Sequence, residues 1–357
     1  MAWLSNYTKR ILFTIAPGIA IDISDFPMKL WLDSAGSGPE IFSVVPDIHR
    51  TWIAITLADG VTQCYTEVVS WDAANKKAEL YTKIPVSSAA NTVLYLYYGA
   101  EVENSTFVGD TLSTPAVHVW DDNYLGVYHM NDADTSDHIH DSTINVIHGS
   151  KGETTAAPTQ VDGLKGKAQS FDGGDIITMA STLSAGLTGS GFATIECFFK
   201  QTVLDGAVKY IVNVRNADSL PRISLLTSIT GYTMYNAQSG SEGVKTFTST
   251  LISANSAYHA VTLVFRLFSN VVSVCVDSGT NNKSVVGFAN STFQDTTQTT
   301  IIGDVLTGVI DELRVSKIDR QVGWITLFNK SERDTAGTWG NIEELKTPSI
   351  LLSLGII

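Results

Sequence analysis

The feature that most constrains this sequence is its punctuation. Short runs rich in Val, Ile, Thr, Tyr and Phe recur along the whole chain, separated by Gly, Asn, Asp and Ser, and helical periodicity is almost absent. Period-two runs bounded by turn residues specify an all-β fold of sandwiches. In the first third, strands are expected over 11–15, 28–32, 52–57, 64–71, 79–84 and 93–98, with Asp59-Gly60 and Asn75-Lys76 as turns. The stretch 101–115 loses the alternation, is rich in Ser, Thr and Gly, and reads as a linker. Alternation then resumes and runs to a last strand over 309–315, with Ser269-Asn270 as a tight hairpin. One helix is expected over 320–329. The division that follows is a first β-sandwich with its linker over 1–115, a second over 116–333, and a tail over 334–357 that docks or forms an edge strand.

The 357 residues suit about two domains. The chain is 44% hydrophobic, enough for two cores, and carries 23 Lys and Arg against 36 Asp and Glu, a net charge of −13. With no basic cluster, it repels phosphate backbones, so nucleic acid is not expected as a partner. Three scattered cysteines, Cys64, Cys197 and Cys275, do not make a disulfide framework. The longest apolar run, Ile350 to Ile357, falls short of the roughly 20 residues that span a bilayer, so membrane insertion is not expected.

Two stretches resemble known families. Trp3-Leu4-Ser5-Asn6-Tyr7, Lys9-Arg10, Ser24-Asp25-Phe26-Pro27-Met28-Lys29-Leu30 and Thr92-Val93-Leu94-Tyr95-Leu96-Tyr97-Tyr98-Gly99 resemble the DUF2341 module of bacteria and phages. The motif usual in the middle of that family is echoed here only by Asp47-Ile48 and Ala58-Asp59-Gly60. From Leu125-Gly126-Val127-Tyr128-His129-Met130, through Gly163-Leu164-Lys165-Gly166-Lys167-Ala168 and Phe171-Asp172-Gly173, to Gly308-Val309-Ile310-Asp311-Glu312-Leu313-Arg314, the second region resembles a LamG-like jelly roll of the concanavalin A-like lectin/glucanase fold. Domains of that kind often hold a structural calcium, and the resemblance implies Asp141, Asp172 and Asp311 as ligands, with Asp175 in reserve. The alternative is that these are turn aspartates bonded to local backbone.

The polar loop 131–148 adds His138, His140 and His148. His138 and His140 alternate on one strand face, but a zinc site needs further ligands in closed geometry. Aromatics on a sandwich face can stack on sugars: Trp120, Tyr124, Tyr232 and Tyr235 are the candidates in the second region, and Trp31, Trp52 and Trp71 in the first. In strands such residues more often serve the core. A glucanase of this fold needs paired carboxylates on one strand. Glu196 stands alone, and the adjacent Asp311 and Glu312 are expected on opposite faces of a regular strand. There is no G-x-S-x-G elbow and no phosphate-binding loop. With no catalytic constellation, the resemblance to phage and bacterial surface modules implies a non-catalytic phage virion component (tail, fibre or capsid decoration). Its partners would be other virion proteins, copies of itself and host-surface glycans. The alternatives are a bacterial polysaccharide-binding or adhesion module, or an enzyme whose carboxylates converge from distant strands.

Overall fold

Alternation leaves each run with an apolar face, and burying those faces gathers the strands into four sheets. A computed structural model describes residues 2–34, 40–132, 137–203, 209–215, 221–227, 233–235, 245–246, 257–277, 280–285, 292–293 and 299–345. The first sandwich contains β1 (Lys9–Ile15), β2 (Ile23–Leu32), β3 (Ala54–Leu57), β4 (Thr66–Asp72), β5 (Lys77–Val86), β6 (Thr92–Tyr98) and β7 (Val108–Asp110). The second begins with β8 (Tyr124–Tyr128), β9 (His138–Ile139), β10 (Gly149–Lys151), β11 (Thr159–Asp162), β12 (Lys167–Asp172), β13 (Ile177–Met179) and β14 (Phe192–Gln201). It continues with β15 (Lys209–Arg215), β16 (Pro221–Thr227), β17 (Thr233–Tyr235), β18 (Lys245–Thr246), β19 (His259–Arg266), β20 (Val271–Val276), β21 (Thr280–Val285), β22 (Thr300–Ile302) and β23 (Thr307–Ser316). A helix, Val322–Glu332, leads into β24 (Gly337–Glu344). The protein is all-β, as its sequence specifies.

In the first sandwich, the sheet β24-β1-β6-β3 faces the sheet β2-β5-β4-β7. Ile11, Phe13, Leu94 and Leu96 from the one meet Met28, Leu30, Leu80 and Ile84 from the other in a single apolar cluster. In the second, the sheet β11-β12-β23-β14-β19-β20-β21 faces β18-β17-β16-β15-β22-β13-β10-β9, and β8 lies beside the latter half of β23. Ile195, Phe199, Leu263, Phe265 and Leu313 fill that core together with Ile177, Ile211 and Ile302.

The two sandwiches are not separate beads. Trp120, Tyr124, Val127, Trp324 and Leu327 belong to the same apolar cluster as the core of the first sandwich, and the Trp324 ring meets Phe26 edge-on at 5.0 Å. The helix wedges between them, with Phe328 against Phe198 and Ile325 beside Val264. The 101–115 stretch, expected as a linker, is stitched into the first sandwich. There β7 pairs parallel with β4, and the Asn104 amide donates to the Ile53 carbonyl at 3.0 Å. Its backbone polar groups need partners whatever its hydropathy pattern, and a sheet edge supplies them. Beyond the helix the chain returns to the first sandwich, where β24 pairs antiparallel with β1 from Lys9↔Glu344 to Ile15↔Gly337. Residues 346–357, the apolar end of the tail, lie outside the described residues. Among the described residues, no helix is long and apolar enough to cross a membrane.

Candidate functional site

The faces that the sandwiches turn toward each other carry charge. On β2, β5 and β4, register sets Lys29, Tyr81 and Glu67 in one row, with Trp31 and Glu79 in the next. Opposite stand Glu196 on β14 and Asp311, Glu312 and Arg314 on β23. Asp311 and Glu312 do not point to opposite faces as a regular strand requires. A bulge between Arg314 and Asp311 places two β23 residues against Cys197, and Glu312 takes φ +50°. A bulge re-aims side chains in this way. Both carboxylates therefore turn out of the second core, while Ile310 and Leu313 stay in it.

The resulting seam is closed to solvent, with the Lys29, Glu79, Glu332, Arg314 and Glu312 side chains 0–4% exposed. Lys29 Nζ lies 2.6 Å from Glu79 Oε1 and 3.1 Å from Glu332 Oε2, and donates to the Lys165 carbonyl at 3.0 Å. Glu332 also accepts from the Tyr81 hydroxyl at 2.8 Å and from the Arg314 guanidinium. His129 spans the other end, with Nδ1 2.8 Å from Glu312 and Nε2 3.5 Å from Glu67. Glu67 takes further bonds from Trp120 Nε1 (2.7 Å), Thr111 (2.7 Å) and Ser142 (2.8 Å).

These contacts fix the protonation pattern. Burial alone pulls the His129 imidazole down, but Glu312 and Glu67 carry it up to about 10, so it is an imidazolium at neutral pH. Burial pushes Asp311 well above the usual carboxylate range, against the pull of Lys29. Glu312 is held low, because His129, Lys29 and Arg314 outweigh its burial. Burial lifts Glu196 to about 7 against Arg314 and Arg320, and neither of its oxygens is in a well-formed hydrogen bond.

The turn Gly163–Gly166 caps the seam. The Leu164 N–H donates to Asp311 Oδ2 at 2.7 Å, and Lys165 gives its carbonyl to Lys29. At Gly166, with φ +92°, a Cβ would stand 2.3 Å from Glu79 Oε2. Donor atoms of Glu79, His129 and Glu312 lie within 4.8 Å of one another, a spacing a metal site shares. Lys29, hydrogen-bonded to Glu79, supplies the positive charge there. Carboxylates from distant strands thus do converge, but behind closed protein, with Glu79, Glu312 and Glu332 on cationic partners.

The four aspartates of the calcium expectation are not brought together. Asp141 is buried, and its oxygens accept from the N–H groups of Val127 (3.0 Å), Thr143 (3.0 Å) and Ile147 (2.8 Å) and from the Thr143 hydroxyl (2.9 Å). It organises the loop after β9. Asp172 and Asp175 are neighbours in the β12–β13 turn, where Asp172 accepts from Gly174 N–H and Asp175 from Asp172 N–H. Asp172 pairs with Thr307, whereas Asp311 lies four residues further along β23, about 13 Å away.

Of the proposed sugar platforms, Trp120 and Tyr124 are 4% and 1% exposed and pack edge-on in the shared core. Tyr232 lies outside the described residues, as does the side chain of Tyr235 in β17. Trp31 and Trp71 are buried, and Trp52 is stacked on His49 at 3.7 Å.

Open polar space lies at the margin of the seam, just beyond Thr111. A cleft of about 540 Å³ between the sandwiches is lined by Arg50, Ser70, Trp71, Asp110, Thr111, Asn131, Asp132 and His140. Arg50 and Asp110 form a bidentate pair, both bonds 2.6 Å. Asp132 is held by Lys151 and by Gln169 Nε2 at 3.0 Å.

No protein-family profile matches the chain, and no curated protein sequence matches it. Among solved structures it is similar to domain 4 of AbnA, an extracellular arabinanase from Geobacillus stearothermophilus, solved with arabinotriose: 18% identity over 60% of this chain and 98% of that one, TM-score 0.45. It is similar also to the binding domain of Paraclostridial Mosquitocidal Protein 1 (14% identity, 59% and 52% covered, TM-score 0.44). A third is the botulinum neurotoxin serotype D ligand-binding domain, solved with N-acetylneuraminic acid (12% identity, 60% and 52% covered, TM-score 0.46). The chain spans about half the length of the two toxin domains. At this distance the likeness assigns nothing to individual residues.

Sequence reasoning missed the seam and the cleft. Lys29, Glu67 and Glu79 occupy the polar phase of strands whose other phase is core, the phase a single sandwich leaves in water. Their burial is a property of the second sandwich lying on the first, and no local pattern records it.

Proposed function

We propose that this protein is a non-catalytic carbohydrate-binding protein whose site is the cleft between its sandwiches. The observation that carries the reading is the lining of that cleft. Arg50, Asp110, Asn131, Asp132 and His140 ring an open cavity of about 540 Å³, a small-molecule size. Sugar hydroxyls both donate and accept, and planar amide, carboxylate, guanidinium and imidazole groups meet them with several fixed bonds. The Arg50–Asp110 fork holds both groups in place, and carboxylate oxygens keep lone pairs for a ligand after binding Arg. The carboxylates of the seam are shut from solvent, and Glu67, Glu79, Glu312 and Glu332 are tied to cations, which supports binding rather than hydrolysis.

A glycan array with the intact chain tests this. Retained ligands should weaken about tenfold or more in Asp110→Ala and Asn131→Ala, each of which removes hydrogen bonds worth about 1.5 kcal/mol or more in total. A folded chain that captures no glycan overturns the reading, and release of reducing ends overturns its non-catalytic part. The setting we propose is a phage particle, on the resemblance to surface modules. Co-banding with particles in a density gradient supports it, and a chain that stays with the soluble or envelope fraction removes it.

A further inference from the structure

We infer that Asp132 is the residue that reads the ligand in this cleft, and that it selects neutral sugars over acidic ones. The inference rests on the proposed carbohydrate reading and deepens it. Asp132 lines the cleft with 22% of its side chain exposed. Its Oδ1 is committed to the wall behind it, where it accepts from the Lys151 ammonium and from Gln169 Nε2 at 3.0 Å. Its backbone is held as well, since the Asp132 N–H donates to Gln160 Oε1 at 2.6 Å. Among the described residues, none donates to Oδ2. One oxygen of this carboxylate is braced, and the other is left over on an open wall.

The brace is built from the second sandwich. Lys151, on β10, has a side chain 2% exposed and also donates to the Pro158 carbonyl at 3.2 Å. Gln169, on β12, is buried, and its Nε2 also reaches the Met130 carbonyl at 2.9 Å. A carboxylate oriented by buried partners needs no ordering when a ligand arrives, so more of the contact energy survives as affinity. Its spare oxygen accepts and never donates, and a sugar hydroxyl is the donor that suits it, in a charge-assisted bond.

The cations around the cleft decide the ligand's own charge. Arg50 gives Nε and Nη2 to Asp110 and Nη1 to the Asp47 carbonyl at 2.8 Å. Lys151 stands behind Asp132, its ammonium shut from solvent and already paired. A ligand carboxylate set where a hydroxyl bonds Oδ2 therefore meets a like charge, with no unpaired Lys or Arg on the described lining to offset it. Like-charge juxtaposition is a means by which binding sites reject a wrong partner.

The test is an array that presents each hexose oligomer beside its C6-oxidised counterpart: glucose against glucuronate, galactose against galacturonate, mannose against mannuronate. The intact wild-type chain should hold the neutral member of the bound pair about tenfold or more tighter than the acidic one. In Asp132→Asn, whose amide donates as well as accepts, that ratio should fall to about threefold or less. Because this variant leaves the buried Lys151 without a counter-charge, it is also made together with Lys151→Met, which removes both charges at once. Circular dichroism identifies which variant is folded, and the ratio is read on that one. A wild type that holds a uronate as tightly as its hexose overturns the inference, and so does a folded variant that keeps the wild-type ratio. In both cases weakened binding in Asp110→Ala and Asn131→Ala leaves the cleft reading standing. A folded wild type that holds no glycan overturns both readings together.

Discussion

At the residue scale, Glu196 carries a testable imbalance. Its carboxyl is buried beside Trp324, with two cations near but neither oxygen well bonded. A folded pKa of about 7 against an ordinary 4.5 means that the folded state prefers the proton. The stability this gives is complete below pH 4.5 and is lost as pH rises to about 7, a change of about 3 kcal/mol. Glu196→Gln should therefore raise the melting temperature at pH 8 and change it little at pH 4.5. An equal effect at both pH values would show that ionisation is not its burden. The sequence told part of this: Glu196 stood out as a lone charge in an apolar strand. It told the Asp311–Glu312 pair wrongly, because alternation presumes a regular ladder, and the bulge opposite Cys197 was not legible in side-chain order.

At the scale of elements, the strands were the legible part. The runs expected over 28–32, 79–84 and 93–98 lie inside β2, β5 and β6, and the helix expected over 320–329 forms at Val322–Glu332. Short, polar β9, β10 and β11 escaped because two to four residues carry no periodicity. The Gly163–Gly166 turn was legible as a motif but not as a cap. Its role rests on backbone reaching Asp311 and Lys29, and on the absence of a side chain where Glu79 passes. Gly166→Ala puts a methyl into that space at φ +92° and should destabilise the fold by about 2 kcal/mol or more. Denaturant unfolding measures it, and a cost below about 0.5 kcal/mol would show that the turn yields.

At the scale of the molecule, the shared core and the buried seam make two sandwiches one cooperative unit. Calorimetry should show a single transition whose van't Hoff and calorimetric enthalpies agree. Two resolved transitions would mean that the seam does not couple them. Stability should also fall toward alkali. His129, carried up to about 10, contributes fully below its ordinary 6.5 and loses that contribution as pH rises through 10. Asp311 acts in the same direction.

The pairing of β24 with β1 has a consequence for the order of events in synthesis. The two strands are neighbours in space, yet about 320 residues separate Ile15 from Gly337. A ribosome adding roughly 5–20 residues per second takes on the order of 15–65 s to cover that distance. For all of that time β1 has at least one open edge, and once β6 is paired the nascent first sandwich presents a strand awaiting its second partner. Its surroundings in that interval are those in which a holding chaperone or a neighbouring nascent copy competes with the chain's own later segment. The sheet is finished only when β24 leaves the exit tunnel.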